Sequence, residues 1–262
     1  MILKDFEVNK IISILLEANS EIMRVYSNPE NWETLIKNDK SPVTYADCVS
    51  NEIICKQLLD FFPNTLIISE ENKEIPFEKR KNEKFIWCID PIDGTKEFLK
   101  KNGDFAVNIA LIHEKMVIAG FVGVPARKEI YWAIRGEGAF KRSHNGKVKK
   151  IEAKIFTIQD RHLKIVASRS HIDNQTNNFI DSFWEPEIIS VGSSIKFLAI
   201  AEGEAHIYPR LGPTMEWDTA APQIILEEAG GRVVNCQSLK PLCYNKENLL
   251  NPHFIAYGKV VD

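Results

Sequence analysis

Two carboxylates three positions apart, Asp90 and Asp93, give this sequence its clearest chemical signal. They lie in the run WCIDPIDGT at 87–95, which begins apolar like a strand and is followed by residues 96–100, which can form a short helix. Carboxylate oxygens bind hard cations, and the free N–H groups at the start of a helix bind anions. We therefore expect this turn to hold a metal ion and a phosphate together, which is a setting for phosphoryl chemistry.

The turn also has simpler interpretations, because Asp-Pro and Asp-Gly pairs are common in turns that do no chemistry. Two related motif classes do not fit. A calcium-binding EF-hand loop needs acids at alternate positions and a terminal glutamate. A phosphatase with an aspartyl nucleophile carries two acids separated by one residue, whereas two residues separate Asp90 from Asp93. The spacing therefore favours shared metal coordination over nucleophilic attack.

The composition bounds the class of protein. With 262 residues, 44% of them hydrophobic, the chain is long enough for one large domain or two packed subdomains. A formal net charge of −3 supplies no basic field for nucleic acid, so we expect no nucleic-acid partner. The five cysteines contain no C-x-x-C pair, and their odd number argues against a complete disulfide framework and favours a reducing cytoplasm. No apolar run approaches the ~20 residues of a transmembrane helix, although attachment at the cytoplasmic face of the inner membrane and the oligomeric state stay open.

The first half of the chain predicts helices followed by an antiparallel sheet. Helical spacing of apolar residues predicts a first helix over 8–26 and a second within 44–63, before a short strand at 65–68. Residues 73–84 are dense in both charge signs and predict a solvated loop. The stretch 105–151 predicts a meander of strands joined by tight turns.

The second half changes pattern, because strands and helices alternate after about Ala153. The main predicted helices there are 193–201 and 219–229. We therefore expect an N-terminal α+β half over 1–152 and a C-terminal α/β half over 153–262, packed as one unit.

Further acids occur where predicted elements end or begin. Glu70 follows a predicted strand, and a neighbouring strand could place it beside Asp90. Asp218 stands where a helix should begin, so its alternative role is an N-cap. Glu70 taken alone is more simply a solvated surface acid. Spacing alone leaves their neighbours Glu71 and Glu216 open as the true ligands.

Several longer motifs together resemble a known family. Four of them occur in the order SPVTYAD at 41–47, SEE at 69–71, DPIDGT at 90–95 and WDTAA at 217–221. This set closely resembles the lithium-sensitive, magnesium-dependent phosphatase superfamily that includes inositol monophosphatase. Five further runs resemble its branch of bacterial 3'(2'),5'-bisphosphate nucleotidases, the CysQ branch: GTKEF at 94–98, NGDFAVNIALI at 102–112, SRSH at 168–171, GSSIK at 192–196 and YPRLGPT at 208–214. Inositol monophosphatases usually continue the Asp-Gly-Thr turn with Thr-Asn-Phe.

The resemblance implies the layered α/β fold of the sugar phosphatases and a role for each matched residue. Up to three Mg²⁺ ions would be held by these ligands: Glu70, Asp90, the carbonyl of Ile92, Asp93 and Asp218. Thr95 would orient the attacking water, with Asp47 accepting its hydrogen bond; taken alone, Asp47 is more simply half of a capping box. The implied phosphate and nucleotide contacts are Gly94, Thr95, Ser168, His171, Ser193, Lys196 and Arg210.

The implied reaction is hydrolysis of the 3'-phosphate of adenosine 3',5'-bisphosphate, a small-molecule substrate, to AMP and phosphate. Its sulfated relative, 3'-phosphoadenosine 5'-phosphosulfate, is a second implied substrate, and Li⁺ an implied inhibitor. The alternatives are an inositol monophosphatase or sugar phosphatase, a non-catalytic nucleotide sensor, and a structural calcium-binding domain. A panel of substrates with metal titration distinguishes them.

Overall fold

The computed structural model describes residues 3–32, 35–36, 42–167 and 174–261. Its α-helices are α1 (Asp5–Tyr26), α2 (Tyr45–Phe61), α3 (Phe77–Arg80), α4 (Thr95–Leu99), α5 (Asn174–Ile180), α6 (Ile195–Ala201) and α7 (Glu216–Glu228). Short 3₁₀ turns lie at Pro29–Asn31 and Pro125–Arg127. Small two-stranded pairs are formed by β1 (Leu35–Ile36) with β2 (Pro42–Val43), and by β10 (Ile155–Phe156) with β16 (Lys259–Val260).

The two long N-terminal helices form a layer on the larger sheet. α1 buries one apolar face that includes Ile14 and Leu15, and this face shares a buried cluster with Trp87 and Phe121 of the sheet. α2 packs against α1 and begins where the sequence predicts, after Thr44, whose backbone N–H donates to the carboxylate of the third helical residue at 2.8 Å. Both predicted helices are therefore confirmed, and the start of α2 is fixed by its cap.

The larger sheet carries the residues of the DPIDGT motif. Its strands are β3 (Leu66–Ser69), β4 (Phe85–Asp93), β5 (Ala106–His113), β6 (Met116–Val124), β7 (Glu129–Ile134), β8 (Gly138–Arg142) and β9 (Val148–Ile151), paired in that order. β3 runs parallel to β4, and all later pairs are antiparallel, as the predicted meander requires. Ser69, the last residue of β3, pairs with Ile89, so Glu70 follows next to Asp90 of β4.

The smaller sheet is mixed. Its strands are β11 (Lys164–Ala167), β12 (Glu187–Ser190), β13 (Ile207–Arg210), β14 (Arg232–Asn235) and β15 (Phe254–Tyr257), in the spatial order β12-β11-β13-β15-β14. The first three are parallel and the last three antiparallel. The layered arrangement of helices and sheets confirms the predicted fold class, while the division of the chain at residue 152 stays a prediction.

Helix α7 lies between the two sheets and packs closely on β6. At Gly120 an added Cβ would lie 2.5 Å from the carbonyl oxygen of Ala221 and 2.4 Å from a side-chain carbon of Ile224, so only glycine permits this approach. The same face of α7 is buried against residues from both sheets. The position of α7, whose first turn carries Asp218, is therefore constrained by the sheet beneath it.

One predicted segment differs from the structure. Residues 73–84 are not wholly a solvated loop, because α3 forms within them and Arg80 is fully buried. The guanidinium tolerates burial since backbone and side-chain oxygens surround it. Across the described ranges, none of the helices combines the length and apolar character needed to cross a bilayer.

Candidate active site

The turn after β4 has the geometry that the sequence predicts. The ladder with β5 shifts register between Asp90 and Asp93, an irregularity that bends the strand before its end at Asp93. Gly94 follows with a φ of 97°, and an added Cβ would lie 3.2 Å from the carbonyl oxygen of Asp104 and from the Cβ of Ser193. Glycine is needed here both for its backbone conformation and for the close approach.

The acidic side chains interact strongly. Burial, followed by the charges of Glu70, Asp93, Asp218 and Asp47, raises the pKa of Asp90 well above its usual range. Burial and the charge of Asp93 raise the pKa of Asp218 to about 8. The acids predicted as ligands, called here the acid cluster (Glu70, Asp90, Asp93 and Asp218), are therefore close enough to interact electrostatically, and their mutual repulsion favours a bound cation.

The carboxylates of the acid cluster do not converge into a ready-made metal site. Within the described segments, no three acidic, cysteine or histidine side chains group closely enough to form a metal site. Three of the acids accept backbone hydrogen bonds instead: Asp90 from Ile92 N at 3.1 Å, Asp218 from Met215 N at 2.8 Å, and Asp93 from Ser194 N. An all-oxygen set of this charge fits Mg²⁺, and its assignment as the ligand set stays a prediction.

The start of α7 differs from the sequence prediction. The helix begins at Glu216, three residues before the predicted start, so Asp218 lies inside the first turn and caps the N–H of Met215. One oxygen of Asp218 therefore acts as a helix cap, and its role as a metal ligand stays a prediction. Glu216 is fully buried and accepts hydrogen bonds from the backbone N–H groups of Asn245 and Lys246, which engages it away from the acid cluster. Glu71 stays an open alternative.

Asp47 combines the two roles that the sequence left as alternatives. Its Oδ2 accepts from the backbone N–H and, at 2.6 Å, from the hydroxyl of Thr44 as part of the capping box. Its Oδ1 accepts from the Thr95 hydroxyl at 3.2 Å. That hydroxyl also lies 3.4 Å from the carbonyl oxygen of Ile92. The cap thus holds the aspartate in place beside Thr95, at the edge of the acid cluster.

A cavity of about 190 Å³ opens beside this turn and is lined by several of the predicted substrate contacts. Gly94, Ser193, Lys196 and Arg210 line it together with Asp218. The loop before α6 reaches the turn because the backbone N–H of residue 194 donates to an acid of the DPIDGT motif. The structure therefore brings predicted substrate contacts from the second half of the chain beside the DPIDGT motif of the first half.

The side chains of Lys196 and Arg210 give the cavity positive charge that could bind an anion. Lys196 is buried, and burial lowers its pKa to about 8 although the charge of Asp93 opposes the shift. Arg210 donates from Nη2 to the carbonyl of Pro213 at 2.7 Å, whereas its buried Nε has no hydrogen-bond partner in the described part of the chain. A buried donor without an acceptor is costly, and an anionic ligand would satisfy it.

Sequence reasoning missed part of the lining. Lys96 and Glu97 of α4 and Lys100, the residue that follows it, also line the cavity. Tyr208 lines it too, and the centre of its ring lies 5.4 Å from the Nζ of Lys196. The signal for the two lysines was their spacing of four directly after the turn, which places them on one helix face. The predicted contacts Ser168 and His171 lie outside the described residues.

Comparison with known proteins identifies the family of this chain. The model of the family described as the inositol monophosphatase family matches residues 7–259. The proteins named 3'(2'),5'-bisphosphate nucleotidase CysQ from Salmonella typhimurium and Escherichia coli are each 38% identical over 248 residues, covering 94% of this chain and 98% of the relative. The crystal structure of CysQ from Bacteroides thetaiotaomicron has a TM-score of 0.83 at 38% identity, covering 95% of this chain and 96% of that one.

A more distant structure shares the fold alone. The extragenic suppressor protein SuhB from Bartonella henselae has a TM-score of 0.78 at 24% identity, covering 96% of this chain and 93% of that one. The sequence match extends over the acid-bearing strands, the DPIDGT turn and the first turn of α7. On these grounds the chain belongs to the inositol monophosphatase family.

Proposed function

We propose that this chain is a Mg²⁺-dependent phosphomonoesterase that hydrolyses the 3'-phosphate of adenosine 3',5'-bisphosphate to AMP and phosphate. The observation that carries the proposal is the juxtaposition of a buried acid cluster with the cations of Lys196 and Arg210 in one cavity. The relatives at 38% identity are named for this activity. 3'-phosphoadenosine 5'-phosphosulfate, with the same 3'-phosphate, is proposed as a second substrate.

The acids supply the cation site of the proposal. Glu70, Asp90, Asp93 and Asp218 would hold Mg²⁺ with the carbonyl oxygen of Ile92. When bound, up to three such ions would neutralise the phosphate oxygens, make a coordinated water more acidic and stabilise the leaving oxygen. Without positive charge, burial and mutual repulsion raise the pKa of Asp90 and of Asp218. Cation binding and full ionisation of the cluster therefore support each other.

Thr95 and Asp47 would position the attacking water. The Thr95 hydroxyl donates its single proton to Asp47 Oδ1, which leaves its oxygen lone pairs to accept a hydrogen bond from water. A threonine hydroxyl is too weak an acid to act as an ionised base, so its proposed role is orientation. The Thr44 cap immobilises Asp47, so the direction of the Thr95 lone pairs is fixed before substrate arrives.

The cations of the cavity would bind the second phosphate of the substrate, the one that is not cleaved. The backbone N–H groups of Gly94 and Thr95 would contact the phosphate that is cleaved. Lys196 and Arg210 line the same cavity as Gly94 and come from the second half of the chain. An inositol monophosphate carries one phosphate and would leave these buried donors unpaired, whereas a nucleoside bisphosphate supplies a second anion. This charge arrangement favours the nucleotide substrate.

A substrate panel tests the proposal. Phosphate release is measured with Mg²⁺ from adenosine 3',5'-bisphosphate, 3'-phosphoadenosine 5'-phosphosulfate and inositol 1-phosphate. We expect the highest kcat/KM for the bisphosphate, and a clear preference for inositol 1-phosphate would refute the assignment. The Asp90→Asn variant addresses a non-catalytic sensor: we expect turnover to fall by several orders of magnitude, and full retained activity would show that the metal site is misplaced.

A further inference from the structure

Arg80 is a fully buried cation that reaches across the chain. Its Nε donates to the carbonyl of Ile75 at 3.1 Å, and its Nη2 donates to the carbonyl of Glu247 at 3.0 Å. Its Nη1 donates at 2.7 Å both to the carbonyl of Lys246 and to Oδ1 of Asn245. The planar fork therefore ties the segment after β3 to residues 245–247 through uncharged oxygens.

Asn245 makes this junction reciprocal. Its Nδ2 donates to the carbonyl of Arg80 at 2.9 Å while its Oδ1 accepts from the guanidinium. Its φ is 54°, a left-handed conformation that asparagine tolerates better than most residues. This conformation directs the backbone N–H groups of Asn245 and Lys246 at the carboxylate of Glu216, at 2.6 Å and 3.0 Å.

Glu216 carries the connection into the helix of a candidate ligand. It is the first residue of α7 and is fully buried, and Lys246 Nζ also donates to it. Asp218 lies two residues later in the same helical turn. Helix α7 therefore packs on β6 through Ala221 and Ile224, and its first residue is held by the loop that Arg80 contacts.

The opposite end of the connection leads to Glu70. Ser69 donates from its hydroxyl to Asn51 of α2 at 2.6 Å, and Asn51 donates in turn to Asn72 at 2.8 Å. These bonds fix the chain on both sides of Glu70 to α2. From there the segment runs to Arg80, and a cavity of about 590 Å³ lies between it and Trp217. Glu70 lies on one wall of this cavity, and Met215 and Trp217, which come directly before Asp218 in the chain, lie on the other. These walls are called here the Glu70 wall and the Asp218 wall.

We propose that Arg80, Asn245 and Glu216 form a clamp that sets the spacing between the Glu70 wall and the Asp218 wall and thereby the affinity of the acid cluster for Mg²⁺. The inference rests on the cation site of the proposed function. The three residues are positioning residues, because they contact backbone and one another and do not line the cavity that holds the predicted substrate contacts. Four charged-group hydrogen bonds on one buried arginine make the spacing stiff.

A purely structural role makes a different prediction from a positioning role. Loss of the clamp lowers thermal stability in either case, since it leaves buried polar groups unpaired. Only a positioning role also weakens Mg²⁺ binding in protein that is still folded. Mg²⁺ affinity measured without substrate is therefore the discriminating quantity, and it does not depend on turnover.

The experiment compares Arg80→Lys, Arg80→Met and Asn245→Gly with the wild-type chain. Glycine is chosen at 245 because it accepts the left-handed conformation, so only the side-chain bonds are lost. The matched control is Arg135→Met, because Arg135 also donates to a backbone carbonyl, that of Val117, and to Glu227 near the far end of α7. Mg²⁺ binding is measured by titration calorimetry and stability by thermal unfolding.

We expect each clamp variant to weaken Mg²⁺ binding about tenfold or more, about 1.4 kcal/mol, while Arg135→Met leaves it within about twofold. Clamp variants that lose stability like the control yet keep wild-type Mg²⁺ affinity would overturn the inference. If Arg80→Met does not fold, Arg80→Lys and Asn245→Gly decide the question. Activity of the wild-type chain on the bisphosphate is scored separately, so a failed substrate assignment and a failed clamp give different results.

Discussion

Replacing Lys196 by methionine tests whether the second half of the chain recognises a second phosphate. Lys196 lines the cavity of about 190 Å³ beside the DPIDGT motif, is 8% exposed and lies over the ring of Tyr208. Methionine keeps most of the volume and removes the charge. If the lysine contacts the phosphate that is not cleaved, the variant loses affinity for a nucleoside bisphosphate but not for a nucleoside monophosphate.

The expected magnitude follows from burial. A hydrogen bond between charged groups contributes about 1.5–3 kcal/mol, and at a buried position solvent screening reduces this contribution little. With a pKa of about 8, the ammonium is the dominant form at neutral pH. Since 1.4 kcal/mol corresponds to a factor of ten, we expect kcat/KM for the bisphosphate to fall by about 10- to 100-fold.

The assay uses two substrates that share base, ribose and scissile phosphate. Initial rates of phosphate release are measured for adenosine 3',5'-bisphosphate and for adenosine 3'-monophosphate at saturating Mg²⁺. The ratio of the two kcat/KM values is the quantity of interest, because errors in active concentration and in metal loading cancel. Lys147→Met serves as the control, since Lys147 is exposed in the β8–β9 hairpin.

We expect the ratio to fall by about 10- to 100-fold in Lys196→Met and to stay unchanged in Lys147→Met. An equal loss on both substrates would refute the reasoning, because it would place Lys196 at the phosphate that is cleaved. No loss on either substrate would show that the lysine does not contact substrate.

Three further results are expected. Because burial lowers the pKa of Lys196 to about 8, the preference for the bisphosphate should decline as pH rises through 8, and Lys196→Arg should move this decline to higher pH in a rate profile. Thr95→Val should lower kcat by about 10²-fold or more while Mg²⁺ affinity measured by calorimetry is kept, whereas Thr95→Ser should retain most activity. Gly120→Ala should reduce the free energy of unfolding in urea by about 1–3 kcal/mol, since its Cβ would overlap Ala221 of α7; an unchanged transition would contradict the close packing.

The fold was readable from the sequence where one local pattern decides the element. Apolar spacing identified α1, and the cap at Thr44 located the start of α2. The parallel pairing of β3 and β4 brings Glu70 beside Asp90, as expected for acids at the ends of neighbouring strands. The start of α7 could not be predicted from local sequence, because Glu216 is stabilised by a loop that lies about thirty residues later in the chain.

Local sequence predicts the acidic residues of the candidate site better than its cationic residues. The DPIDGT turn carries its own backbone requirements, at Gly94 above all, so local sequence constrains its shape. Lys196 and Arg210 reach the same cavity only through the packing of α6 and β13, which no local pattern encodes. Lys96 shows the intermediate case, because its place on α4 follows from the turn but its orientation toward the cavity does not.

Arg80 shows why a charge-dense segment resists interpretation from sequence. Its neighbours Lys79 and Lys81 are exposed, and nothing in the local run distinguishes the buried cation from them. What separates Arg80 is a partner 165 residues away, Asn245, which offers both an acceptor and a donor. A lone buried guanidinium would be costly, so its burial is possible only because these distant oxygens are already in place. The hydrogen bonds between Arg80 and Asn245 that make this burial possible also join the segment after Glu70 to the loop that contacts the start of α7. In a charge-dense segment, a buried charged residue therefore indicates a contact with a distant part of the chain.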